Sequence, residues 1–226
     1  MIYIAIIGDI ISSKSIKERS QAQKKLMTLI ADINKKYEKV LKSPFTITTG
    51  DEFQALLLPN HHVFEIIESI SLNFLPYHLR FGIGVGEILT DINEEQSIGS
   101  DGPAYWYARK AIDYIHDNND YGTNSISLYF DDHYDIRKAI NASIAASEFI
   151  KSKWTTTQSE IVKKLLEINI YDEKFEHKKI AELLSVTPSA FNKRIKASGL
   201  KIYLRLRRTI MVSILNYIKM EENSHD

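Results

Sequence analysis

The 226-residue chain has no cysteine, which excludes disulfides, thiolate metal sites and a cysteine nucleophile and suits a reducing compartment. It has no apolar run near the roughly 20 residues that span a bilayer. Its first nine residues, Met1 to Asp9, carry no basic region of a secretory signal. The expected location is therefore the cytoplasm, with no membrane partner. Net charge is absent too, since 29 Lys+Arg balance 29 Asp+Glu, but the balance hides an asymmetry. Lys174 to Asp226 hold eleven basic and five acidic residues, and no acidic residue lies between Leu183 and Met220. Such a split predicts two modules with different partners, the basic one suited to nucleic acid. No Walker-type loop or His-x-x-x-His pair occurs, and Gly82, Gly84 and Gly86 are too closely spaced for a dinucleotide fingerprint.

What is present is the composition of an ordinary globular protein, with 44% hydrophobic and 26% charged residues. The Ile-rich start, residues 2–8, reads as a strand buried on both faces. Leu26, Leu29, Ile30, Ile33, Tyr37 and Val40 recur at helical spacing within a long helix predicted over 15–42 and closed by Pro44. A hairpin follows over 45–58, then a helix through Val63, Ile66, Ile67, Ile70 and Phe74. A strand over 78–88 carries the three glycines on one side, where they admit a close neighbour. This strand–helix–strand–strand–helix–strand order predicts an α+β, ferredoxin-like antiparallel sheet with helices on one face. Further elements are expected as a helix over 104–117, a strand over 125–130 and a helix over 132–151.

Beyond residue 152 the pattern is all-helical. Helices are expected near 159–168, over 177–184 and over 190–197, followed by a long basic amphipathic helix over 203–220. Residues 1–152 and 153–226 are accordingly read as two domains.

Two Gly-Asp pairs end apolar runs. Gly8-Asp9 closes the first strand, and Thr49-Gly50-Asp51-Glu52-Phe53 forms the hairpin tip, where glycine would accept a positive φ. If these strands are neighbours, Asp9 and Asp51 converge and can hold a hard divalent cation through oxygen. The alternative is a pair of ordinary turn aspartates. Glu52 is either a third ligand or a solvent-facing tip residue. Lys14 is either a phosphate contact or an exposed lysine at a helix start. Tyr105-Trp106-Tyr107 could stack a base or could belong to the core.

The N-terminal region, about residues 1–130, resembles the class III nucleotidyl cyclases and their diguanylate cyclase relatives. The likeness rests on Gly8-Asp9-Ile10-Ile11-Ser12-Ser13, on Gly50-Asp51-Glu52-Phe53, and on Leu79 to Glu87 with its glycines. It implies metal ligation (Mg²⁺ or Mn²⁺) by Asp9 and Asp51, with Glu52 beside them. It also implies a phosphate cradle from Ile10, Ile11, Ser12, Ser13, Lys14 and Gly50, and a transition-state cation at Arg109. The chain departs from the cyclase pattern at Ile47, where adenylyl cyclases carry a base-selecting lysine. It departs again at Tyr105, where they carry an asparagine, and at Gly102, where an aspartate meets adenine. Nearly the whole chain resembles the bacterial SatD (secretion and acid tolerance) family, on the strand end Tyr3 to Lys14, the hairpin 50–54 and a C-terminal helix-turn-helix.

Lys178 to Ile195 resembles a helix-turn-helix of the sigma-factor type. Ala181 stands at the helix crossing, Val186 in the turn and Ile195 as an anchor. The resemblance implies a DNA-reading face of Thr187, Ser189, Asn192, Lys193, Arg194 and Lys196. Arg205, Arg207 and Arg208 on the next helix are expected to meet phosphates. The alternative is a small basic helical bundle. The sequence thus points to a two-domain regulator that binds a nucleotide with Mg²⁺ through a degenerate cyclase-like domain and double-stranded DNA through its C-terminus. An active cyclase or nucleotidyltransferase and a non-catalytic scaffold are the alternatives. A homodimer is expected by analogy.

Overall fold

The computed structural model describes residues 1–224. Five strands form one mixed sheet in the order β2-β3-β1-β4-β5: β1 Tyr3–Ile10, β2 Leu41–Thr49, β3 Glu52–Leu57, β4 Leu79–Gly86 and β5 Ile126–Tyr129. The first four pair antiparallel, whereas β5 joins β4 in parallel, so the sheet is not wholly antiparallel. The connection from β4 to β5 runs through a helix, as a parallel crossover requires.

Central strand β1 is apolar on both sides because both sides are covered. Ile4 and Ile6 enter a large core with α1 (Arg19–Tyr37) and α2 (Val63–Phe74). Ala5 and Ile7 face the other way, toward Ala104, Tyr105, Ala108 and Ile112 of α3 (Pro103–Asp117). The expected single helical layer is therefore wrong: α3 lies on the opposite face. The β4 glycines make this possible. A Cβ on Gly84 would lie 2.0 Å from the Ala104 carbonyl oxygen and 2.2 Å from the Ala108 nitrogen. Only bare backbone lets α3 settle there.

Two boundaries differ from expectation. Helix α1 ends at Tyr37, and Pro44 lies inside β2 rather than closing a helix. Strand β2 is at the sheet edge and its register slips between Ser43 and Thr46, which is where a strand tolerates a proline.

The remaining helices are α4 (Tyr134–Ser152), α5 (Thr156–Glu167), α6 (His177–Leu183), α7 (Pro188–Ser198) and α8 (Leu200–Ser224). Helices α5 to α7 and the start of α8 enclose a second core with Ile161, Leu165, Ile180, Phe191 and Tyr203, which also takes in Leu72 of α2. Helix α8 then runs on into the sheet core, contributing Ile210, Met211, Ile214, Tyr217 and Ile218. Residues beyond 152 therefore pack against the sheet layer as well as on one another.

Candidate functional site

The carboxylate edge is built from three adjacent strands. Residue alternation puts Glu52, Asp9 and Arg80 in one row on the α3 side of the sheet. Asp9 is paired across to Glu52 of β3 and to Arg80 of β4. Gly8 fixes this strand end, because a Cβ there would lie 2.3 Å from the Phe53 ring. The row is cross-linked by charge. Arg80 Nε lies 3.0 Å from Asp9 Oδ2. From α3, Arg109 donates through both terminal nitrogens to Glu52, at 2.5 and 2.7 Å.

Asp51 reaches the same edge from the hairpin tip. The Ile10 amide donates to the Asp51 carbonyl at 3.0 Å, which ties the tip to the end of β1. The Ser13 hydroxyl donates to Asp51 Oδ2. Gly50 is not in the left-handed region. The tip is held instead by Gln23 Nε2, which donates to the Gly50 carbonyl at 3.0 Å. The turn after β1 passes through Ser12 at φ 55°. Of its amides, Ile10 and Ile11 donate to Asp51 and His78 carbonyls. They are not available to a phosphate, which corrects their expected role. The amides of Ser12, Ser13 and Lys14 have no acceptor among the described residues.

Charge at this edge is unbalanced. Burial pushes the Asp9 carboxyl above its ordinary value; Arg80 opposes that, while Asp51 and Glu52 add to it and Arg109 again opposes. A cation beside Asp9 and Asp51 would relieve both burial and repulsion. Among the described residues no group of three or more His, Asp or Glu side chains is placed to hold a metal ion. Glu52 is not a third ligand here, because the Arg109 fork occupies both its oxygens. The donor set that fits is two carboxylates, with the rest of the coordination left to phosphate and water, which is how Mg²⁺ is commonly held.

Ile47 packs against the main core and Tyr105 is buried. Trp106 is exposed, with Nε1 donating to Asp101 at 2.6 Å.

On the C-terminal helices Thr187, Ser189, Asn192, Lys193 and Lys196 are exposed and Arg194 is half-buried. Thr187 caps α7, its hydroxyl accepting from the Ala190 amide at 3.2 Å. Asn192 Oδ1 lies 2.7 Å from His177 Nδ1. Arg205 and Arg208 project outward but pair with Glu173 and Asp172, both at 2.6 Å. Arg207 overturns its expected role. It is 1% exposed, paired with the buried Glu148, and lies against the Phe64 and Tyr203 rings. No phosphate can reach it.

The model of the SatD family matches residues 3–214. The chain belongs to the SatD family. Among curated proteins, none matches this SatD-family chain in sequence. Among solved structures it is similar to a bacterial light-regulated adenylyl cyclase, at 13% identity and TM-score 0.39, over 56% of this chain and 74% of that one. A second structure of that kind gives 13% and 0.39 over 57% and 43%. The catalytic core of a rhodopsin-guanylyl cyclase in complex with ATPαS gives 17% and 0.30 over 48% and 70%. At such scores these likenesses carry no functional inference.

In this SatD-family chain the structure thus brings together Asp9, Asp51, Ser13 and, through Glu52, Arg109. Sequence reasoning assigned no role to Arg80. Its signal was available in part, since Arg80 shares the alternation parity of Gly82, Gly84 and Gly86. Its pairing with Asp9 follows only from the β1–β4 register. No helix is long and apolar enough to cross a membrane among the described residues.

Proposed function

We propose that this SatD-family protein is a two-part regulator. It would bind a nucleotide with Mg²⁺ or Mn²⁺ at Asp9 and Asp51, and double-stranded DNA through the α6–turn–α7 unit. The observation that carries the first half is the convergence of Asp9 and Asp51 at one strand end, beside the unengaged amides of Ser12, Ser13 and Lys14. When bound, the metal would neutralise phosphate charge there. Asp9 and Asp51 would hold it, Ser13 orients Asp51, and Arg80 holds Asp9. Ile47 and Gly102 supply no polar side chain for base selection, the Tyr105 hydroxyl is buried, and Glu52 restrains Arg109, so binding without turnover is favoured. Calorimetry with ATP, GTP and Mn²⁺ tests this. Binding that survives Asp9→Asn/Asp51→Asn would sink it.

An active cyclase is the second reading, supported by Arg109 standing at the edge. Product formation from ATP or GTP with Mn²⁺ would establish it in place of the first.

The exposed face of Thr187, Ser189, Asn192, Lys193 and Lys196, together with the acid-free run from Leu184 to Lys219, supports the DNA half. Duplex binding is expected to weaken steeply with salt. Lys193→Ala and Lys196→Ala are expected to reduce it together, and duplex affinity unchanged in that double variant would remove α7 from the interface. A homodimer would give such a protein two half-sites, and sedentation of the full chain by analytical ultracentrifugation reads that state directly.

A further inference from the structure

A hollow of about 790 Å³ opens between α3, β5 and α4, lined in part by Leu128, Tyr129, Ala142 and Ala145. That is the size range of small-molecule sites. Three cations line it: Lys110, Arg137 and Lys138. Lys110 Nζ lies 4.8 Å from the Tyr129 ring centroid and the Arg137 guanidinium 4.1 Å from it. Lys138 Nζ lies 5.9 Å from the Tyr134 ring. None of the three is in a salt bridge among the described residues, although Arg137 donates to the Phe130 and Asp131 carbonyls. Three acids also line the hollow: Asp117 lies 2.9 Å from the His116 ring, Asp120 accepts from Asn124 at 3.2 Å, and Asp113 is exposed. Tyr114 and Tyr134 are 55% and 62% exposed at the hollow, so both have ring surface to offer.

Strand β5 is at the sheet edge, yet an added peptide strand is not the occupant. Asn141 already satisfies that edge, accepting from the Leu128 amide at 2.9 Å and donating to the Leu128 carbonyl at 2.8 Å. What remains on offer is aromatic surface next to cations that lack an anion. We propose that this hollow is a second, metal-independent binding site for a small organic anion with a planar aromatic body. A nucleoside monophosphate and an aromatic carboxylate share that chemistry.

The test is calorimetry on the full chain in EDTA, with AMP, GMP, an aromatic dicarboxylate, adenosine and inorganic phosphate as probes. At least one aromatic anion is expected to bind about tenfold or more tighter than adenosine or phosphate, and the monophosphate and carboxylate arms separate the two sources. Lys110→Glu/Lys138→Glu, both at exposed positions, should lose that binding, as should Ala142→Trp, which fills the hollow. Asp9→Asn/Asp51→Asn should retain it. No binding by any aromatic anion would overturn the proposal. So would binding unchanged in both the lysine and Ala142 variants, or binding that is seen only when Mn²⁺ replaces EDTA and is lost with Asp9 and Asp51. The last result would place the ligand at the carboxylate edge and leave the reading of that edge intact. Failure at the carboxylate edge alone would leave this hollow untouched.

Discussion

At the scale of the residue, Asp9 concentrates the tension between stability and use. Its carboxyl is raised chiefly by burial, against the pull of Arg80. An acid whose folded value exceeds its unfolded value favours the fold most when protonated. Its ionisation therefore removes stability as pH rises from the unfolded value through the folded one. Asp9→Asn is thus expected to raise the Tm of the metal-free protein at neutral pH by about 1–3 °C, read by calorimetry. A fall would mean that the Arg80 pair outweighs the burial. The same proton competes with a cation, so Mn²⁺–nucleotide binding should weaken as pH falls toward the raised Asp9 value. Titrations at several pH values check this, and affinity flat down to the ordinary aspartate range would count against Asp9 as a ligand. Both carboxylates were legible in the sequence as strand-end Gly-Asp pairs. Glu52 and Arg109 were legible as residues but not as partners, because only the close packing of α3 on the sheet brings one to the other.

At the scale of the element, α3 and α8 decide most. Helix α3 rests on bare glycine backbone, so Gly84→Ala forces it from the sheet. A loss of about 3 kcal/mol or more is expected in chemical denaturation. Helix α8 carries Arg207 on its buried stripe, in step with Tyr203, Leu204, Ile210, Met211 and Ile214. That periodicity was available from the sequence, but an arginine invites a surface reading until Glu148 is seen opposite. The pair belongs to a buried network in which Lys151 meets Glu68 at 2.9 Å and Tyr203 donates to Glu68. Arg207→Ala would leave Glu148 uncompensated and is expected to cost about 3–5 kcal/mol, while Arg207→Met/Glu148→Leu should recover much of it. A double variant no better than the single would show that packing, not charge, dominates. Burial pushes Glu148 up, but Lys151, Arg207 and the Ser125 hydroxyl outweigh it, and its value ends below the ordinary one. The stability it contributes is present above the unfolded value and is lost as pH falls through the folded one.

At the scale of the whole molecule, the two cores share α8. The N-terminal sheet layer depends on Ile210, Ile214 and Ile218 to cover apolar surface that residues 1–152 alone would leave in water. A chain ending at residue 152 is therefore expected to lose cooperative unfolding and to bind hydrophobic dyes, measured beside the full chain. A sharp, cooperative transition in that fragment would show that residues 1–152 fold as a domain on their own. The shared helix also gives a physical route by which ligand at the sheet could bias the α6–α7 unit, provided it binds one arrangement better than another.

By itself the sequence determined the element types, the strand-end carboxylates and the acid-free C-terminal stretch. Each of these is written in local spacing, turn chemistry or charge, which act over a few residues. Tertiary structure alone decided that α3 covers the second face, that β5 is parallel, that Glu52 is held by Arg109 and Asp9 by Arg80, and that Arg207 is internal. Those outcomes depend on strand register and on which surfaces meet, and no short window of sequence contains them.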